Sequence, residues 1–155
     1  MPVGSSTVGR APVQTGSVNG PDLAPAIDGV RLTLHVLAAT VWVGGQFTVA
    51  GLLGTVRKLG PEAPRRVALA FGRIQWPAYA LLVATGIWNV LAVRVGNASA
   101  TWQAVLWAKI AVVVLAGLGA FLHQRARSKV GLALWGAVAS LASVAALALG
   151  VLLAG

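Results

Sequence analysis

The chain has 155 residues, 57% hydrophobic and only 10% charged, with a formal net charge of +9. A soluble domain is about one-quarter charged, so this composition excludes an ordinary water-exposed surface and points to a bilayer. There is no cysteine, and the only methionine is Met1, which excludes disulfides, thiolate metal sites and the thioether ligands that suit copper(I).

Residues 1–28 are rich in Gly, Ser, Pro and Thr and lack an apolar h-region, which predicts a flexible tail rather than a cleaved leader. Asp28 stands where it could cap a first helix. Four apolar runs follow, at residues 30–53, 71–93, 101–122 and 130–154. Each meets the need for about 20 residues to cross a hydrocarbon core about 30 Å thick. Without the alternating polar residues of a barrel, helices are the only way to satisfy backbone groups in lipid. Residues 29–155 therefore read as an all-α integral membrane domain, a four-helix bundle. Glycines 44, 45, 117 and 119 are candidates for close helix approach.

The basic residues sit in the connections beside the runs. Arg57, Lys58, Arg65, Arg66 and Arg73 follow the first run, and Arg125, Arg127 and Lys129 follow the third, all on one side. Arg10, Arg31 and Arg94 lie on the other side, and Lys109 lies within a run. This is a topology signal, not a phosphate-binding face, so no nucleic-acid partner is expected; the bilayer itself is the partner. By the positive-inside rule both termini face outward.

Polar groups inside the runs are costly in lipid and mark candidate sites. His35, Ala39, Trp42, Gln46 and Val49 recur at three- and four-residue steps, forming one stripe on the first helix. On the third helix, Trp102, Lys109, Ala116 and His123 share a face. At about 1.5 Å per residue, His35, Lys109, Trp88 and Asn89 fall in one layer of the outer half, with Trp102 and Trp107 flanking Lys109. A second layer, near the inner surface, holds Arg73, Gln75, Trp76, His123 and Gln124. Lys109 and His123 are separated by about 21 Å of helix, so His35 and His123 cannot ligate one ion. The bland readings are interfacial anchoring for His123, Arg73 and Trp76, snorkelling for Lys109, and a helix–helix hydrogen bond for His35. The fourth helix, with Trp135, Ser140 and Ser143, reads as scaffold. Glu62 is the only glutamate and lies in a connection; with no nucleophile–base pair, hydrolytic chemistry has nothing to run on.

The stretch "LHVLAATVWVGGQF" resembles the first-helix signature of the copper resistance D (CopD) membrane domain, a histidine followed by a W-x-G-G element. "FGRIQWPAYALLVATGIWNV" resembles that family's F-x-R…TG…N helix, and "LWAKIAVVVLAGLGAFLH" its L-x-x-K helix. The likeness covers roughly residues 29–128. It implies a multi-pass protein of a bacterial cell membrane that acts in copper homeostasis, with His35, Trp42, Arg73, Asn89 and Lys109 on the matching positions. His35 would be the metal ligand, and a periplasmic copper-binding protein or a second copy would supply further ligands. A related resemblance is to the HemJ-type protoporphyrinogen oxidases, whose tryptophan and lysine pattern Trp107 and Lys109 match. It implies haem b, with His35 axial in a pocket lined by Trp42, Trp88 and Trp107, and Lys109 on a propionate. That family's second-histidine element is not visible in "TVAGLLGTVRKLG". A third possibility is a non-catalytic helical subunit of a larger membrane complex, which needs no ligand.

Overall fold

The computed structural model describes residues 25–154. Four helices follow one another: α1 Ala26–Lys58, α2 Ala63–Ala92, α3 Ala100–Arg125 and α4 Lys129–Ala154. A 3₁₀ turn, Val95–Asn97, lies between α2 and α3, and the described residues contain no strand. All four helices are long and apolar enough to cross a membrane, so the architecture is that of a multi-pass membrane protein. Of the tail expected over residues 1–28, residues 1–24 lie outside the described part, and Ala26 to Asp28 are already helix. Pro25 occupies the N-cap of α1, so Asp28 is not the cap; it sits within the first turn and pairs with Arg31 at 3.0 Å.

The helices overrun the apolar runs because amphipathic and charged turns continue them past the hydrocarbon limits. α1 has 33 residues, about 50 Å at the usual rise, well beyond the thickness of the core. α2 begins at Ala63 with Pro64 in its first turn, where a missing N–H costs nothing. α3 is capped by Ser99, whose hydroxyl accepts from the Trp102 amide at 3.2 Å.

Short connections make neighbouring helices antiparallel, so both described chain ends lie at one end of the bundle, here the termini end. The α1–α2 and α3–α4 connections form the other, basic end. α1 packs along α2, α3 along α4, and α1 touches α4. α2 and α3 meet chiefly through side chains: the Tyr79 hydroxyl donates to the Val113 carbonyl at 3.0 Å and Trp76 Nε1 to Gln124 Oε1 at 3.1 Å.

The interior is small and partly polar, while the bulky aliphatics point outward. The buried core draws Ala38 and Trp42 from α1, Leu82 from α2, Ala120 from α3 and Ala139 from α4. Leu141, Val151 and Leu152 are each more than 60% exposed. This distribution fits lipid as solvent, where close packing of small residues, rather than hydrophobic burial, holds helices together. Gly119 is the clearest case: a Cβ there would lie 2.9 Å from the Ala139 backbone nitrogen. Gly45 lies under the Phe71 ring and Gly117 under the Tyr79 hydroxyl. Gly44 has nothing within 4 Å, so close packing does not account for it.

Candidate functional site

His35 turns toward α2. Its Nδ1 lies 2.9 Å from Thr85 Oγ1. The Thr85 hydroxyl also lies 2.7 Å from the Leu81 carbonyl and 3.2 Å from that of Leu82. With its hydrogen on either carbonyl it accepts from an Nδ1–H, the tautomer that leaves the lone pair on Nε2. This arrangement orients many metal-binding histidines: a fixed partner on one ring nitrogen leaves the other free to ligate. Gly86 stands beside the ring, its absent Cβ 3.5 Å from His35 Cε1.

Two turns toward the basic end, Trp42 anchors α1 to α4. Its indole is 2% exposed and donates from Nε1 to Ser143 Oγ at 2.9 Å. Gln46 Nε2 donates to the same hydroxyl at 3.1 Å, and Ser140 donates to Gln46 Oε1 at 3.2 Å. Ser143 completes the set by donating to the Ala139 carbonyl at 2.7 Å. Every member is satisfied, as a buried network requires. Around the indole, the centroid of Tyr79 lies at 4.5 Å and that of Trp76 at 6.1 Å.

The antiparallel register of α1 and α4 carries this pairing back to His35. Two turns from Trp42 along α1 bring His35; two turns from Ser143 along α4 bring Gly150 at the same level. Lys109 reaches that level from α3, with Nζ 3.1 Å from where a Gly150 Cβ would be. One layer at the termini end thus takes His35 from α1, Thr85 from α2, Lys109 from α3 and Gly150 from α4. Glycines beside both the ring and the ammonium leave room that a side chain would fill.

The α3 stripe faces α4 along its whole length. Trp102 Nε1 donates to the Leu153 carbonyl at 3.4 Å, Lys109 lies on Gly150, and His123 Nδ1 donates to the Leu132 carbonyl at 2.8 Å beside Gly136. His123 therefore ties α3 to α4 at the basic end, at the opposite end of the bundle from His35.

The six residues expected at a cofactor site divide into separate places. His35 and Lys109 share the layer, and Asn89 stands one turn from Thr85 toward the termini end. Trp42 is enclosed by Trp76, Tyr79 and Ser143, so it fills the core instead of lining a space. Trp107 is 60% and Trp88 40% exposed, against 2% for Trp42, so among the described residues these three tryptophans do not line one common space. Arg73 is exposed near the basic end, three turns from Thr85. Sequence reasoning missed Thr85, Tyr79 and the two serines of α4. Thr85 was legible in principle, because the T-G pair precedes Asn89 by one turn on the same face.

Among the described residues, no three His, Cys, Asp or Glu side chains gather where they could hold a metal ion. No family model, curated protein or solved structure matches the chain.

Proposed function

We propose that this chain is a multi-pass membrane protein of copper homeostasis, the role its likeness to the copper resistance D domain implies, and that His35 Nε2 is the nitrogen that meets the ion. The observation that supports this reading is the held ring: Nδ1 lies 2.9 Å from Thr85 Oγ1, and that hydroxyl lies 2.7 Å from the Leu81 carbonyl. Imidazole suits copper(II), and a ring held through Nδ1 leaves Nε2 as the nitrogen that can ligate. A single protein ligand beside the Lys109 ammonium makes a weak site. Weak binding is what a transit position needs, since an ion held too tightly does not move on. The remaining ligands would come from a partner, either a periplasmic copper-binding protein or a second copy of the chain.

The haem reading has one observation in its favour, the ammonium of Lys109 in the layer of a lone orientable histidine, a pairing that would suit a carboxylate-bearing macrocycle. The donor set otherwise does not fit: Trp42 is packed into the core, and Trp88 and Trp107 are exposed. Copper is therefore the better reading.

The test is metal analysis with an absorption spectrum, on purified protein equilibrated with copper(II). Bound copper that is lost in His35→Ala, without a Soret band, is the expected result. A Soret band in the wild type, or copper retention unchanged by His35→Ala, would overturn it. Thr85→Val checks the positioning role: it preserves volume but removes the acceptor that orients the ring. Copper affinity should fall about tenfold, as on loss of a histidine's outer hydrogen-bond partner, and Thr85→Ser should restore it.

A further inference from the structure

One turn outward from His35 and Thr85, the α1–α2 seam contains two stranded polar atoms. Arg31 Nε and Asn89 Oδ1 are both buried, and neither has a hydrogen-bond partner among the described residues. Arg31 as a whole is 8% exposed. They occupy one level: Arg31 precedes His35 by a turn on α1, Asn89 follows Thr85 by a turn on α2, and His35 is bonded to Thr85. One stranded atom is a donor and the other an acceptor, at one level on the two helices of the seam.

We propose that Arg31 and Asn89 bind a neutral hydroxyl-bearing ligand, water in the resting protein, and that this site opens a polar path from the termini end to His35. The chemistry of the two orphans selects the ligand class. Leaving either unmet in a low-dielectric interior carries the full desolvation cost, so both need a partner. An anion would accept from Nε but offer nothing to Oδ1. A metal cation would suit Oδ1 but meet the guanidinium. A group that both accepts and donates, as water or a hydroxyl does through one oxygen, serves both atoms. Charge balance agrees, because the Arg31 guanidinium already has the Asp28 carboxylate at 3.0 Å and needs no second anion. Asp28 is the more exposed of the pair, its side chain 37% accessible against 10% for Arg31. Polar groups thus descend from an open carboxylate through Arg31 and Asn89 to the imidazole layer. The inference concerns hydration of the seam and stands whether or not His35 ligates copper.

The chain lacks cysteine, so a single introduced thiol is a unique probe. Asn89→Cys and Ala38→Cys would each be placed in lipid nanodiscs and treated with an anionic, membrane-impermeant methanethiosulfonate. Ala38, 2% exposed in the core, serves as the dry reference. Position 89 is expected to react faster by about tenfold or more, since a thiol in apolar surroundings is held from its reactive thiolate. The unmodified protein supplies a check that needs no folded variant: water-edited solid-state NMR should show magnetisation passing from water to Arg31 Nε–H at mixing times that leave the Ala38 amide dark. Equal reactivity at the two positions, or an Arg31 Nε–H as dark as Ala38, would overturn the proposal. So would a rise in melting temperature on Asn89→Leu, because removal of an acceptor stabilises the bundle only if that acceptor was dry.

Discussion

Trp42→Ala is expected to destabilise the folded bundle by about 3–5 kcal/mol, the usual cost of emptying a fully buried large aromatic site. The loss has two components. The indole is 2% exposed and touches residues from α2 and α4; without it, Tyr79 and Trp76 lose their shared stacking partner. Because lipid is as apolar as the interior, this component is packing, and a cavity between helices forfeits it directly. The second component is polar. Ser143 keeps its bond to the Ala139 carbonyl and its contact with Gln46, so losing the indole N–H strands no buried donor or acceptor. Trp42→Phe keeps a buried ring but removes the indole N–H, whose bond is worth about 0.6 and at most about 1.7 kcal/mol between membrane helices. It also removes part of the ring volume, so it should cost more than the bond alone and less than Trp42→Ala. Equilibrium unfolding in mixed micelles measures both. If Trp42→Phe costs as much as Trp42→Ala, the retained phenyl contacts contribute nothing, and the aromatic cluster is not what joins α1 to α2 and α4.

The order of these two losses shows why some of the architecture was legible from residues and some was not. The four spans were legible because lipid imposes one rule on every segment: about 20 apolar residues in a row, with the backbone satisfied within the helix. The stripe from His35 through Trp42 to Gln46 was legible for a similar reason, since each of those groups is costly against hydrocarbon. Their partners were not. Ser143 receives both Trp42 and Gln46, yet serine is common in membrane helices and can satisfy itself on its own preceding turn, as this one also does. Only the α1–α4 register reveals it, and register is a tertiary property. α4 consequently read as scaffold although it carries half of the central polar network. Trp88 and Trp107 misled in the opposite way. An indole near a helix end suits an interfacial belt and a ligand pocket equally, and sequence periodicity did not separate the two.

The same limit applies to the α3 stripe. The spacing of Trp102, Lys109 and His123 establishes that they share a face but not which neighbour that face meets. It meets α4, where Lys109 Nζ lies 3.1 Å from where a Gly150 Cβ would be. A layer assembled in this way depends on how closely α3 and α4 approach, and that approach is set elsewhere on the same interface, at Gly119.

Gly119→Val is therefore expected to be the second most damaging single change, costing about 3 kcal/mol, at the upper end of the usual range for overpacking a tight interior. A Cβ at this position would lie 2.9 Å from the Ala139 nitrogen and 3.2 Å from both its Cα and Val138 Cγ1. Two of those three atoms are backbone, so no rotamer change can clear them; the helices must separate or rotate. Gly119→Ala should already destabilise, by about 1 kcal/mol or more, although alanine is otherwise the better helix former. Gly44→Ala provides the contrast. That glycine is on a helix too, but nothing lies within 4 Å of its would-be Cβ, so helix propensity alone acts and stability should hold or rise slightly. Because α3 carries Lys109, displacement at Gly119 should also alter the surroundings of His35, visible as a shift of its imidazole resonances in Gly119→Ala but not in Gly44→Ala. Equal stability and unchanged imidazole signals in the two alanine variants would mean that the α3–α4 approach is not set at Gly119.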